Sequence, residues 1–303
     1  MLPVILLRFQ FSAPNGFRRP AFPEAAWRGA FGYALKRALC LTRMKACAGC
    51  PYEFSCGYPF IFETRQRPTG SAARGGDRAP HPFILRVPIL EKPCGVGHVE
   101  VEMVLVGAAA RHLPSVIHAL GEAGRRGIGK ERQSLALESV KDSHGFEVWR
   151  PGSNLAPVEP LATEPRALGP GPTSVTLVSP LRLVCNGDPI APEALDGPTL
   201  AFAAVRRVGL LADNFSGGSQ LDFKALKAEA RTVAIVDRRL AWSDRRRFST
   251  RQERLITYGG VTGRLTLDLS EAPGVAACLD ICQTVHLGKG ATFGYGQISL
   301  AAD

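Results

Sequence analysis

Cys40, Cys47, Cys50 and Cys56 fall in one short segment with the spacing C-x6-C-x2-C-x5-C. The central C-x2-C is the usual thiolate knuckle, and the flanking cysteines complete a tetrahedral set that suits structural Zn²⁺, with an iron–sulfur cluster as the alternative acceptor. Four thiolates leave no open coordination position, so the expected role is in folding and not in catalysis. Cys94, Cys185, Cys278 and Cys282 are scattered and read as core thiols.

Near the carboxyl end, Gly288, Lys289, Gly290, Phe293, Gly294, Tyr295 and Gly296 crowd into one loop. Glycine lets backbone N–H groups approach a phosphate, lysine adds charge, and Phe293 or Tyr295 offers a face to a base, so the loop is expected to bind RNA. It lacks the Ser or Thr that follows a P-loop lysine and leads into a strand, which argues against a nucleotide cofactor. A second basic stretch holds Arg245, Arg246, Arg247, Arg251 and Arg254, bracketed by Trp242, Phe248 and Tyr258. Arginine contacts phosphate bidentately and stacks on bases, which makes this stretch an RNA path or, failing that, a solvated loop. No Ser/His/Asp set and no paired carboxylates have recognisable spacing. Among the histidines, His286 beside the glycine-rich loop, and then His81, sit where an imidazole could serve as general acid or base near neutral pH.

These residues need elements to hold them. Branched and aromatic residues make 1 to 11 a strand, and Pro23 and Glu24 open an amphipathic helix to about Leu41. Extended segments follow near 82–91 and 97–107, then a helix at about 111–123 and strands across 133–150. Prolines crowd 151–172, which reads as a linker. The same β-α-β-β-α-β order then returns, with strands near 173–185, 231–242, 255–269 and 295–301 and helices near 198–212 and 273–284. Each half follows its second helix with a glycine-rich basic loop, and the first of these, Gly121 to Lys130, carries Arg125 and Arg126. The expected fold is α+β: two tandem ferredoxin-like domains, 1–150 and 173–303, with a four-cysteine insertion at about 40–80 in the first.

Composition bounds the partners. With 45% hydrophobic and 21% charged residues over 303 positions, the chain is neither a disordered tail nor a small disulfide scaffold. Lys and Arg number 37 against 27 acidic residues, a net charge of +10, so a polyanion is the first partner to consider. No apolar run approaches the ~18 residues of a membrane span, and Leu2 to Leu7 reads as a strand rather than a signal peptide. The expected location is the cytoplasm, with no membrane partner.

Several segments together resemble a known family: Trp27 to Arg37 running into the cysteines, Cys56-Gly57-Tyr58-Pro59-Phe60-Ile61-Phe62-Glu63, His81-Pro82-Phe83, Gly127-Ile128-Gly129, Ser249-Thr250-Arg251-Gln252 and His286 to Gly296. In this order they are similar to the CRISPR-associated endoribonucleases of the RAMP superfamily that process precursor CRISPR RNA. The resemblance implies metal-independent cleavage of repeat RNA, the 2′-hydroxyl attacking the adjacent phosphate to leave a 2′,3′-cyclic phosphate, with the product retained. Many such proteins carry a catalytic histidine on or just after the first helix, and residues 20 to 50 contain none. His286 is therefore the expected general acid or base, with Arg28, Lys36 and Lys289 on the phosphate and Tyr33 as a further proton-transfer candidate. The expected partners are CRISPR repeat RNA or the crRNA hairpin and other CRISPR effector subunits. Two alternatives stand beside this reading: a non-catalytic subunit that holds a guide-RNA hairpin, and a structural protein that docks through its cysteine segment.

Overall fold

The computed structural model describes residues 2–14, 16–64, 79–88, 97–162, 171–249 and 254–302. Strand β1 (Pro3–Ser12) buries Ile5, Leu7, Phe9 and Phe11, the period-two pattern of a sheet covered on one face. Helix α1 (Pro23–Leu39) starts on Pro23 with Glu24 in its first turn and ends on Lys36 and Arg37, charges that suit the helix dipole. Its buried stripe is Trp27, Phe31, Ala34 and Leu35, and Trp27 meets Phe11 with ring centroids 4.8 Å apart. Strands β2 (Phe83–Arg86) and β3 (His98–Val106), helix α2 (Leu113–Arg126), and strands β4 (Ala136–Asp142), β5 (Glu147–Trp149) and β6 (Leu161–Ala162) complete this unit.

The first sheet runs β2-β3-β1-β4-β5 and is antiparallel, with Phe9 opposite Val101 on one side and Val140 on the other. Val116, Leu120 and Ala123 of α2 join Phe31 and Leu35 of α1 in its core. Within the proline-rich 151–172 segment, residues 151–160 form no helix or strand, and Leu161–Ala162 form β6. β4 pairs with β1 only from Leu7 onward, which leaves the start of β1 with an open edge, and β6 fills it by pairing Leu161 with Val4 and Ala162 with Pro3.

The second unit begins with β7 (Pro172–Leu181) and a small hairpin of β8 (Val184–Cys185) and β9 (Asp188–Pro189). Helices α3 (Gly197–Phe215) and α4 (Phe223–Thr232), the long strands β10 (Ala234–Ser249) and β11 (Arg254–Asp268), helix α5 (Pro273–Val285) and strand β12 (Ile298–Ala302) follow. Its sheet runs β10-β11-β7-β12. Both sheets thus take the strands of a β-α-β-β-α-β run in the order second, third, first, fourth, the arrangement of a ferredoxin-like unit. Asp196 caps α3 by accepting from Thr199 N at 2.8 Å, and the apolar faces of α3 and α5 are buried. Cys278 and Cys282 are buried as expected of core thiols, whereas Cys185 is exposed beside the β8–β9 turn, and Cys94 lies outside the described residues. No helix among the described residues is long and apolar enough to cross a membrane.

Candidate nucleic-acid interface

Because α1 buries Phe31, Ala34 and Leu35, its opposite face turns Tyr33 and Arg37 to solvent, and Tyr33 is 59% exposed. Arg37 Nη1 donates to Tyr33 Oη at 3.5 Å, and its guanidinium lies 5.9 Å from the ring centroid. Arg126, the last residue of α2, stands 5.9 Å from the same ring. The hydrogen bond from Arg37, followed by its charge and the fields of Arg126 and Arg132, holds the phenol below the ordinary tyrosine value. The loop after α2 is tied down, since Ile128 and Gln133 exchange backbone hydrogen bonds of 2.9 and 3.1 Å. Gln133 also grips the Arg18 backbone, accepting from its N at 2.6 Å and donating to its O at 2.8 Å.

The expected pair Arg125 and Arg126 divides. Arg125 Nε and Nη2 each donate to Glu122 at 2.8 Å, and those bonds pull the Glu122 carboxyl down to about 2. Arg126 shares Glu122 at 3.5 Å but also faces Tyr33. Arg28 and Lys36 stand on a different feature, a row of aromatics staggered by one turn of π-helix at Pro59–Glu63. Arg28 lies 4.5 Å over Phe62, Arg111 lies 4.6 Å over Phe60, and Lys36 Nζ is 5.5 Å from Tyr58. Lys36 Nζ also donates to Lys45 O at 2.9 Å. The sequence reading missed Arg111; the alternation Tyr58, Phe60, Phe62 was the available signal for a cation-bearing row. His81 Nδ1 sits 3.0 Å from Thr64 Oγ1 and is engaged in the fold.

The second unit encloses His286. That side chain is 0% exposed, its backbone has φ +58°, and its Nδ1 lies 3.0 Å from Tyr295 O. Enclosed in this way, the ring anchors the loop through its contact with Tyr295 O. Beside it is a residue the sequence reading missed: half-buried Arg207, whose Nη2 donates to Val285 O at 2.8 Å and whose Nε lies 3.2 Å from both Val285 O and His286 O. Burial pulls this guanidinium down to about 10.

Phe293 and Tyr295 are likewise buried rather than offered to a base. Their rings pack on Tyr258 at 5.1 and 5.0 Å, and Tyr295 Oη donates to Tyr258 O at 2.6 Å. The reason is volume: the glycines leave space under the loop, and the aromatic rings fill it. Several loop amides bond inward, Lys289 N to Arg182 O at 2.8 Å, Gly294 N to Ala291 O at 3.1 Å and Gly296 N to Pro180 O at 3.0 Å. Gly288 and Gly290 also serve packing, against Arg182 O and the Phe293 ring respectively. Lys289 remains exposed.

The arginine stretch is a β-ribbon and not a loop. β10 and β11 pair from Ala234 and Asp268 to Ser249 and Arg254, with Arg245, Arg246 and Arg247 opposite Tyr258, Thr257 and Ile256. Arg251 lies outside the described residues. Arg239 and Arg264 are opposite one another and both exposed, and Trp242 is 40% exposed on the same ribbon. Directly opposed like charges destabilise a strand pair when no counter-charge lies between them. The four clustered cysteines border one cavity in the first unit, but among the described residues no group of three or more His, Cys, Asp or Glu side chains is assembled to hold a metal as it stands.

Residues 2–161 match the family model of the AF_1859 N-terminal domain, more than half of the chain. The chain belongs to this family. Residues 175–298 match the family model of the CRISPR-associated endoribonuclease Cas6. An uncharacterised protein of Archaeoglobus fulgidus is 24% identical over 288 residues, 92% of each chain. Among solved structures, a product complex of Thermus thermophilus Cas6 has a TM-score of 0.58 at 12% identity and covers 99% of each chain. A partial Cas6-RT-Cas1–Cas2 complex has a TM-score of 0.55 at 15% identity, with 100% of this chain aligned to 46% of that one. At these identities the likeness is one of fold.

Proposed function

We propose that this chain is an endoribonuclease that binds CRISPR repeat RNA and cleaves it to guide RNA. The observation that carries the reading is the match of 175–298 to the Cas6 endoribonuclease model, on a chain whose whole length shares the Cas6 fold. In the proposed reaction a solvent base, water or hydroxide, takes the proton of the 2′-oxygen, which bonds to the adjacent phosphorus while the P–O5′ bond breaks. The products are a 2′,3′-cyclic phosphate and a 5′-hydroxyl, and the departing 5′-oxygen takes up a proton. No metal is needed for these steps.

With His286 enclosed, Tyr33 is the residue best suited to give that proton. Its phenol is exposed, its pKa is lowered toward that of a useful acid, and the phenolate left behind is stabilised by Arg37 and Arg126. The same arginines carry charge for the crowded phosphorane. The β10–β11 ribbon, with Arg239, Arg264 and the expected contacts Arg245, Arg246, Arg247 and Arg254, binds the RNA backbone, and Lys289 adds a contact from the second unit's loop.

Single-turnover cleavage of a repeat RNA tests the assignment. Tyr33→Phe is expected to slow cleavage by about 10²- to 10⁴-fold with RNA affinity unchanged, and an unchanged rate would move the chemistry elsewhere. The second reading, an RNA-holding subunit without catalysis, draws on the absence of any histidine from α1. Tight binding with no site-specific product would select it.

A further inference from the structure

The segment between α1 and the π-helical turn does little to hold itself in place. From Leu41 to Ser55 it contains no helix or strand, and Leu41, Met44, Tyr52 and Phe54 are exposed. In that stretch Cys47 is the one buried residue. A chain that buries so little apolar surface does not repay its own ordering, so such segments rely on a covalent or coordinate staple.

The staple's parts are present. Cys40, Cys47, Cys50 and Cys56 are all free thiols, and all four line the same cavity of about 170 Å³. Cys50 N donates to Cys47 O at 3.1 Å, so Cys47-Ala48-Gly49-Cys50 closes as a tight turn, with Gly49 at φ +74° where a side chain would be strained. That turn is how a C-x2-C pair presents two sulfurs to one side. Cys40 and Cys50 already meet at the same group, their sulfurs 3.9 and 3.4 Å from Thr42 Oγ1. Cys56 follows one further turn, held by Cys56 N donating to Tyr52 O at 2.8 Å.

We propose that Cys40, Cys47, Cys50 and Cys56 form a tetrathiolate site for a single zinc ion that closes this segment onto the end of α1. The thiols are not at ligand positions without the ion, and binding it requires the four sulfurs to draw together within the cavity they share. Thiolates repel one another until a cation gathers them, and the deprotonated ligands are supplied as the metal displaces their protons. Zinc fits this set because four soft donors on short loops satisfy its tetrahedral preference and a single ion needs the smallest displacement. The site rests on none of the residues assigned to RNA cleavage, so it stands or falls independently of that function.

The test is metal analysis of the full chain purified without chelator from cells supplied with zinc, together with cobalt substitution. The expected result is about one zinc per chain, released in step with modification of about four thiols, and a thiolate-to-cobalt charge-transfer band when cobalt replaces it. Cys50→Ser should lower zinc content by at least about tenfold after dialysis against a weak chelator. If that variant does not fold, the cobalt spectrum of the unaltered chain decides: a thiolate band supports the site, and its absence overturns it. Iron with acid-labile sulfide in place of zinc, or no metal at all, would also overturn it.

Discussion

At the scale of single residues, the account turns on an exposed phenol between two arginines. A hydrogen bond and nearby positive charge favour the phenolate of Tyr33, so the donor form is lost as pH rises through a value below the ordinary one of about 10. The cleavage rate should therefore carry an alkaline limb that Tyr33→Phe removes, and a limb that persists in that variant belongs to another group. Replacing Arg37 by Ala should move the limb to higher pH, because the largest cause of the lowered value is its hydrogen bond. His286→Ala tests the opposite assignment. It should lower the chain's stability by about 1–3 kcal/mol in urea unfolding through the lost bond to Tyr295 O. Loss of cleavage with stability and RNA affinity both intact would return His286 to the chemistry.

At the scale of elements, the glycine-rich loop is a packed turn seated on a half-buried cation. Arg207 satisfies carbonyls at the end of α5, and Arg207→Ala should cost about 2–4 kcal/mol in urea unfolding because those oxygens stay buried without a donor. Gly296 has φ +72°, and a Cβ there would collide with Leu287 O. Gly296→Ala should therefore destabilise the chain by roughly 1–3 kcal/mol or more, and an unchanged melt would contradict the observed turn. Periodicity and end signals made α1, α3 and α5 legible to within a few residues, since each buries one stripe and starts on Pro or just before one. α4 was not legible because it buries only Leu226 and Ala230. The composition of the Gly288–Gly296 loop could not show that His286, Phe293 and Tyr295 point inward, because direction there depends on a positive φ and on the space beneath the glycines. Tyr33 gained its setting from Arg126, ninety-three positions along the chain, a neighbour that only the packing of α1 beside α2 supplies.

At the scale of the whole molecule, the charge of +10 and the exposed arginines of the β10–β11 ribbon call for a polyanion. RNA affinity should fall steeply with salt, with a log-log slope of about 0.7 per neutralised phosphate on a single strand. Replacing both Arg239 and Arg264 should flatten that slope by roughly 1 to 1.4, and an unchanged slope would take these arginines out of the RNA path. The most direct measurement is incubation of the full chain with a labelled CRISPR repeat RNA, with no divalent metal added, followed by analysis of the product ends. The account predicts cleavage at one position, leaving a 2′,3′-cyclic phosphate and a 5′-hydroxyl. RNA that is tightly bound yet stays intact, or cleavage that begins only when a divalent metal is supplied, would contradict it.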